Sequence, residues 1–224
     1  TLGVASLILP LRHPAHVAKS AASVDVLSGG RLLLGVASGD RPEEYPAMNM
    51  EFESRGARFR DSVTYIRAMA EDYPQVQTHQ GTLTGEIDML PKPVAGRIPL
   101  LITGGSRQDP DWVAQNGDGW ITYPRYPAQQ GQVVSEYRAR IDALGLPPKP
   151  VIQSLYVDVQ PDANADPRPI HLGFASGTVF LRQYLREVRA SGINHVALNL
   201  RFNQADVEDT MKRIADDLLP EFSP

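Results

Sequence analysis

Two kinds of segment alternate along the chain. Short apolar runs bounded by Gly, Pro or Asp occur at Leu2–Leu9, Arg31–Ala37, Ile98–Thr103, Gly119–Thr122, Val151–Val159 and Asn194–Leu200. Most are apolar on both faces, which predicts strands of a parallel sheet covered on both sides. Between them, helices are predicted over Pro14–Leu27, Ser54–Asp72, Asp109–Asn116, Ala128–Leu144, Thr178–Ser191 and Ala205–Leu218. Their apolar residues recur at spacings of three and four, as in Phe59, Val63, Ile66 and Ala70, or Val207, Met211, Ile214 and Leu218. Such spacing gives each helix one face to bury.

Local chemistry supports these boundaries. Pro14 and Pro110 suit a first helical turn, Ser54 and Asp109 suit N-caps, and Gly29, Gly145 and Gly192 suit helix ends. Two stretches break the rhythm. Residues 75–93 alternate Val76, Thr78, Thr82 and Thr84 around Gln80-Gly81, which predicts an inserted hairpin. Residues 161–177, rich in Asp, Pro and Gly, are expected to form an irregular loop across a ligand site. Six βα units in series fit an open doubly wound sheet or most of a closed barrel, and periodicity does not choose between them.

Length and charge narrow the function classes. A chain of 224 residues is expected to form one large domain. The net charge of −4 is spread without runs of one sign, so neither nucleic acid nor an anionic membrane surface is an expected partner. No apolar run approaches the roughly 18 residues of a membrane span. The absence of cysteine excludes disulfides, thiolate metal sites and Cys nucleophiles, and it fits a reducing cytoplasm. No His pair has zincin spacing, no acid–histidine cluster suggests a metal, and no Gly-x-Ser-x-Gly, Walker or dinucleotide motif sits in a matching setting.

Three stretches carry a family resemblance. The first is Leu9-Pro10-Leu11-Arg12-His13-Pro14, followed by Ala18, Ala22 and Asp25, then Leu27-Ser28-Gly29-Gly30-Arg31-Leu32-Leu33-Leu34-Gly35-Val36. The second joins Ile102-Thr103-Gly104-Gly105-Ser106, a helix with Trp112 and Ala114, and Asp118-Gly119-Trp120. The third is Gly192-Ile193-Asn194-His195-Val196-Ala197-Leu198-Asn199-Leu200-Arg201-Phe202. Together they resemble the luciferase-like monooxygenases, flavin-dependent enzymes related to bacterial luciferase, over essentially the whole chain. That resemblance implies an α/β fold of (β/α)8 TIM-barrel type, in which the chain supplies strands three to eight as a single domain. It also implies that the first two βα units are absent from this sequence, a view that the opening at Thr1 without methionine fits.

The family likeness also points to site residues. It implies that the turn Gly104-Gly105-Ser106-Arg107 binds a flavin phosphate, and the residues suit that role: two glycines for close backbone approach, amides, a hydroxyl and a cation. A plain strand-to-helix turn is the competing reading. Ser38 stands where luciferase carries a phosphate-binding arginine, a role that passes here to Arg41 or Arg107 unless Ser38-Gly39-Asp40 is only a turn. Around Val4, Ala5 and Ser6 the family often has a cis peptide not involving proline, forming a bulge against the flavin ring; small residues that merely fit a crowded interior are the alternative. Ser176 and Gly177 are expected to offer a second set of amide donors, or a simple cap. Among the histidines, His13 is expected to cap or anchor a loop, His195 to pack, and His171 to lie nearest a substrate. Trp112 and Trp120 are expected to be structural. No catalytic residue is named.

The activity implied is oxidation of a small organic substrate with reduced FMN and oxygen, the deazaflavin coenzyme of sister enzymes being the alternative cofactor. A separate flavin reductase is a further expected partner. The cofactor would carry the hard chemistry, which fits the lack of a nucleophile or triad. A non-redox barrel enzyme, lyase or isomerase, holding a phosphorylated substrate at the same turn is a second possibility, and a flavin-binding protein without turnover is a third. Small residues at Ala15, Ala18, Ala21 and Ala22 suggest close helix packing and, with the resemblance, a homodimer.

Overall fold

The computed structural model of the protein describes residues 1–222. They divide into two compact units, Thr1–Trp120 and a second from Ile121 onward.

In the first unit, β1 (Leu2–Ile8) passes through a 3-10 turn into α1 (Pro14–Ser28), followed by β2 (Leu32–Ala37), a short α2 (Glu44–Ala47) and α3 (Arg55–Ala68). A hairpin of β3 (Gln75–Thr78) and β4 (Gly81–Thr84) precedes β5 (Leu100–Thr103) and α4 (Pro110–Asn116), and β6 (Gly119–Thr122) carries the chain into the second unit. β1 pairs in parallel with β2, from Leu2 opposite Leu32 to Ile8 opposite Ala37, and β2 pairs in parallel with β5, Val36 lying opposite Ile102. Parallel pairing sends the carboxyl ends of all three strands to one edge, from which the loops after Ile8, Ala37 and Thr103 depart. Val36, Leu100 and Ile102 are fully buried, as their doubly apolar runs predict.

Three of the four small residues of α1 pack inside this unit. Ala18, Ala21 and Ala22 are buried, and α1 packs closely with α3. Ala15, the fourth small residue of the stripe, is half-buried. Asp109 caps α4 as expected, accepting the Trp112 amide at 2.8 Å, and Gly29 closes α1 with φ 69°. Ser54 does not cap α3: its hydroxyl donates to the Glu51 carbonyl instead. The helix ends at Ala68 rather than Asp72, because Ala70 and Glu71 turn back onto the carbonyls of Arg67 and Ala68. The inserted hairpin stops at Thr84, and residues 85–93 form no further strand.

The second unit contains α5 (Pro127–Ala143), β7 (Val151–Val159), β8 (Arg168–Ile170), β9 (Gly173–Ser176), α6 (Thr178–Ala190), β10 (His195–Asn199), α7 (Val207–Asp217) and α8 (Leu219–Phe222). β7 is its centre. It pairs in parallel with β10 along one edge and with β9 over its carboxyl half, and β8 runs antiparallel to β9. Leu155, Val157 and Val159 pack with Leu181, Leu185 and Leu218, joined by Val196, Leu198 and Leu200. The alternation along a strand then turns Ile152, Ser154 and Tyr156, level with His195, Ala197 and Asn199, to the opposite face.

The stretch 161–177 is thus not irregular throughout. Pro167 and Pro169 hide β8, which as an outer strand tolerates proline. β9 must open on glycine, because a Cβ on Gly173 would collide with the backbone of Tyr156. Among the described residues no helix is long and apolar enough to cross a membrane.

Candidate active site

The turn after β5 has an unusual backbone. Gly104, Ser106 and Arg107 all have left-handed φ, at 55°, 44° and 61°. For Ser106 and Arg107 that conformation costs about 1–2 kcal/mol each, so neighbouring contacts must hold it. They do so through Gln108. Its Nε2 donates to the carbonyls of Gly56 at 2.8 Å and Ser106 at 3.1 Å, while its Oε1 accepts from Arg60 Nη2 at 2.9 Å and Nε at 3.1 Å. Trp120 Nε1 donates to the Gly104 carbonyl at 2.9 Å, and Gly56 leaves just enough room, since a Cβ there would lie 3.0 Å from the Arg107 Cβ. At about 1 kcal/mol per bond, these contacts offset the backbone cost.

With the carbonyls held down, the amides are left over. Among the described residues no acceptor serves the backbone N–H of Gly105, Ser106 or Arg107. Gly105 and Arg107 are exposed, whereas Ser106 is buried and its Oγ donates to the Thr103 carbonyl at 2.8 Å. Successive left-handed residues gather such amides into a concave donor set suited to an anion, and the Arg107 guanidinium adds charge. The serine acts on the turn from inside rather than reaching outward.

Two neighbouring strands end at the same edge. The peptide between Ala5 and Ser6 is cis, and the register of β1 slips between Val4 and Leu7, giving the expected bulge. Ser6 Oγ meets Thr103 Oγ1 in a hydroxyl pair that ties β1 to the start of the turn, while Val4 and Ala5 are exposed. Ser38 is buried, and its carbonyl accepts the Tyr45 hydroxyl. Burial raises the Tyr45 phenol above its ordinary value, partly opposed by Arg55. Arg41 is exposed and paired with Glu44 at 3.1 Å.

In the second unit, the structure corrects the expectation for Ser176 and Gly177. The Gly177 amide donates to the Ala165 carbonyl at 2.9 Å, the Val179 amide donates to Ala163 at 3.1 Å, and Ser176 Oγ donates to the Gly177 carbonyl at 3.1 Å. A Cβ on Gly177 would collide with the Ala163 carbonyl. The glycine serves close packing of the 163–165 segment, whose carbonyls fill the amides expected to bind a ligand. His13 caps α1 as anticipated, His171 stands at the β8–β9 turn beside Tyr156 and Phe202, and His195 is an exposed residue of β10. Sequence reasoning missed Gln108, Gly56 and Arg60. Their only signal is a polar residue next to the double glycine, which means nothing until α3 is packed beside it.

A family model for luciferase-like monooxygenases matches residues 1–223. The chain belongs to that family. This luciferase-like chain is 32% identical over 122 residues to an uncharacterised protein of Mycobacterium tuberculosis, the match covering 54% of the chain and 43% of the relative. It is also 32% identical over 116 residues to the oxygenase component of the flavin-dependent trigonelline monooxygenase of Acinetobacter baylyi, covering 50% of the chain and 29% of the relative. These matches thus span less than half the length of the curated relatives. Among solved structures, the monooxygenase RslO1 from Streptomyces bottropensis superposes over 99% of the chain and 78% of its own, with a TM-score of 0.84 and 19% identity. An F420-dependent secondary alcohol dehydrogenase does so over 99% and 79%, with a TM-score of 0.80 and 17% identity. At these identities the likeness establishes the fold.

Proposed function

We propose that this luciferase-like chain is a flavin-dependent monooxygenase that acts on a small organic substrate with reduced FMN and oxygen, its strands forming part of one (β/α)8 barrel. The observation that carries the reading is the clamped turn whose amides at Gly105, Ser106 and Arg107 serve no acceptor among the described residues. That arrangement fits a phosphate, and Gly104 lets the backbone come close. Ser106 would hold the turn's shape, Arg107 would balance charge, and the bulge at Val4 and Ala5 would meet the ring. Ser38 would close the edge through its carbonyl bond with Tyr45, whereas Ser176 and Gly177 take no part. When bound, FMN supplies the oxygen-activating chemistry, and the protein positions it and excludes water. The relative named as an oxygenase component supports a separate flavin reductase as partner.

The dehydrogenase likeness favours a second reading, in which the same turn holds the phosphate of the deazaflavin coenzyme F420. Titration with FMN and with F420, followed by oxygen uptake with the reduced cofactor, separates the two. Saturable FMN binding, weakened about tenfold in Arg107→Gln, is expected for loss of a charge-assisted contact. Tight binding of F420 alone establishes the second reading, and binding of neither removes both. We further propose a cytoplasmic homodimer. Since Ala18, Ala21 and Ala22 of α1 are buried, its contact would use the outward Val24, Val26 and Leu27, which sedimentation of Leu27→Asp tests.

A further inference from the structure

The face of β7 and β10 turned away from α6 changes character along its length. Its rows run from Ile152 beside His195, through Ser154 beside Ala197, to Tyr156 beside Asn199 at the carboxyl end. There the face becomes aromatic. The rings of Tyr156 and Phe202 lie 5.1 Å apart at 47°, and the His171 ring stands 5.9 Å from Tyr156 and 6.3 Å from Phe202. The Arg201 guanidinium lies 5.8 Å from the Phe202 centroid.

These rings are not packed away as core. Tyr156 and Phe202 are half-buried, while His171, Asn199 and Arg201 are exposed. Among the described residues neither the Tyr156 hydroxyl nor the His171 imidazole has a hydrogen-bond partner, and the Asn199 amide group is free because only its Oδ1 is used, accepting the Arg201 amide at 2.9 Å. The carboxylate of Asp158, next along the same face of β7, is buried, its two oxygens accepting from Gln204 N at 3.0 Å and Gln160 Nε2 at 2.9 Å. The β8–β9 turn carries His171 to this face and Ile170 and Leu172 to a separate groove with Phe174.

We infer that Tyr156, His171 and Phe202, with Asn199 and Arg201 at their rim, form a substrate subsite that selects a planar aromatic carboxylate. This rests on the enzymatic reading above, since the cluster stands where β10 ends, and barrel enzymes hold their substrates at the carboxyl ends of their strands. The three rings pack against one another and leave their outer edges and faces half-buried or exposed, so a flat ring laid on the cluster gains an offset or T-shaped contact that a saturated ring of similar volume does not make. The phenol, imidazole, amide and guanidinium donors then meet the carboxylate, with Arg201 supplying the opposite charge.

The test is calorimetric titration of the full chain, with and without FMN, using benzoate and cyclohexanecarboxylate. Benzoate is expected to bind about tenfold more tightly than the saturated acid. Phe202→Leu and His171→Ala should each weaken benzoate binding about three- to tenfold while leaving FMN affinity unchanged. His171 lies on an exposed turn, so its variant stays informative even if Phe202→Leu disturbs folding. Equal affinity for the two acids, no saturable benzoate binding, or benzoate binding indifferent to His171→Ala overturns the subsite. Failure of FMN to bind, with ring preference intact, counts against the flavin reading alone.

Discussion

His13 Nε2 lies 3.0 Å from the carbonyl oxygen of Gln80, while the other ring nitrogen, Nδ1, accepts the Ala15 amide at 3.2 Å. With Nδ1 accepting, the hydrogen of the ring lies on Nε2, which donates to Gln80. One side chain therefore caps α1 and anchors the β3–β4 hairpin. His13→Ala should cost about 1–2 kcal/mol in urea unfolding and speed hydrogen exchange over 75–84. His13→Asn should recover the cap but not the exchange protection of the hairpin. Equal protection in both variants contradicts the anchoring role.

Gln108→Ala removes the clamp from a backbone that is unfavourable on its own. The expected result is FMN affinity weakened about tenfold with global stability lowered by only about 1 kcal/mol, because the turn relaxes without exposing core. An unchanged affinity would show that the turn keeps its shape without Gln108.

Asp118 gathers three donors at the opposite end of the first unit. Its carboxylate meets Arg67 and Arg97 and accepts the Leu100 amide at 2.8 Å, and a bond of 2.7 Å runs from its own amide to the Leu100 carbonyl. Burial lowers the Arg67 guanidinium to about 10, so it remains protonated at neutral pH and needs this carboxylate. Asp118→Asn should destabilise the protein by about 2–4 kcal/mol in denaturant unfolding, since it leaves a largely buried cation unpaired. A loss below about 1 kcal/mol would mean that water takes over the pairing.

Tyr137 sets an alkaline limit. Burial pushes its phenol up from 10.0 to about 12. Below pH 10 the group is neutral whether the chain is folded or not, and its contribution is fully present. Between pH 10 and about 12 ionisation favours the unfolded chain, and stability falls by about 2–3 kcal/mol in total. Tyr137→Phe should flatten that part of the stability curve. A wild-type curve and a variant curve of the same slope would rule the phenol out as the cause.

The sequence carried the fold where burial is two-sided. Val151–Val159 is a strand with the bounds its apolar run predicts, and Pro14 and Pro110 mark helix starts. Gly104-Gly105 likewise announced a turn of close approach. What lay hidden depends on contacts distant in the chain. β9 exists because Gly173 fits against the backbone of Tyr156, and the amide of Gly177 is filled because residues 163–165 fold back over it. The stripe of Ala15, Ala18, Ala21 and Ala22 was legible as a packing surface, and Ala18, Ala21 and Ala22 are buried within the first unit. Composition shows that a face wants a neighbour, not which neighbour it takes.

The bond from Trp120 to the Gly104 carbonyl has a practical consequence. The chain holds two tryptophans, Trp112 and Trp120, both in the first unit and one of them fastened to the anion-accepting turn. Light absorbed selectively by indole therefore interrogates this neighbourhood with no background from the second unit, and a shift in emission colour reports the arrival of a ligand there without any added dye.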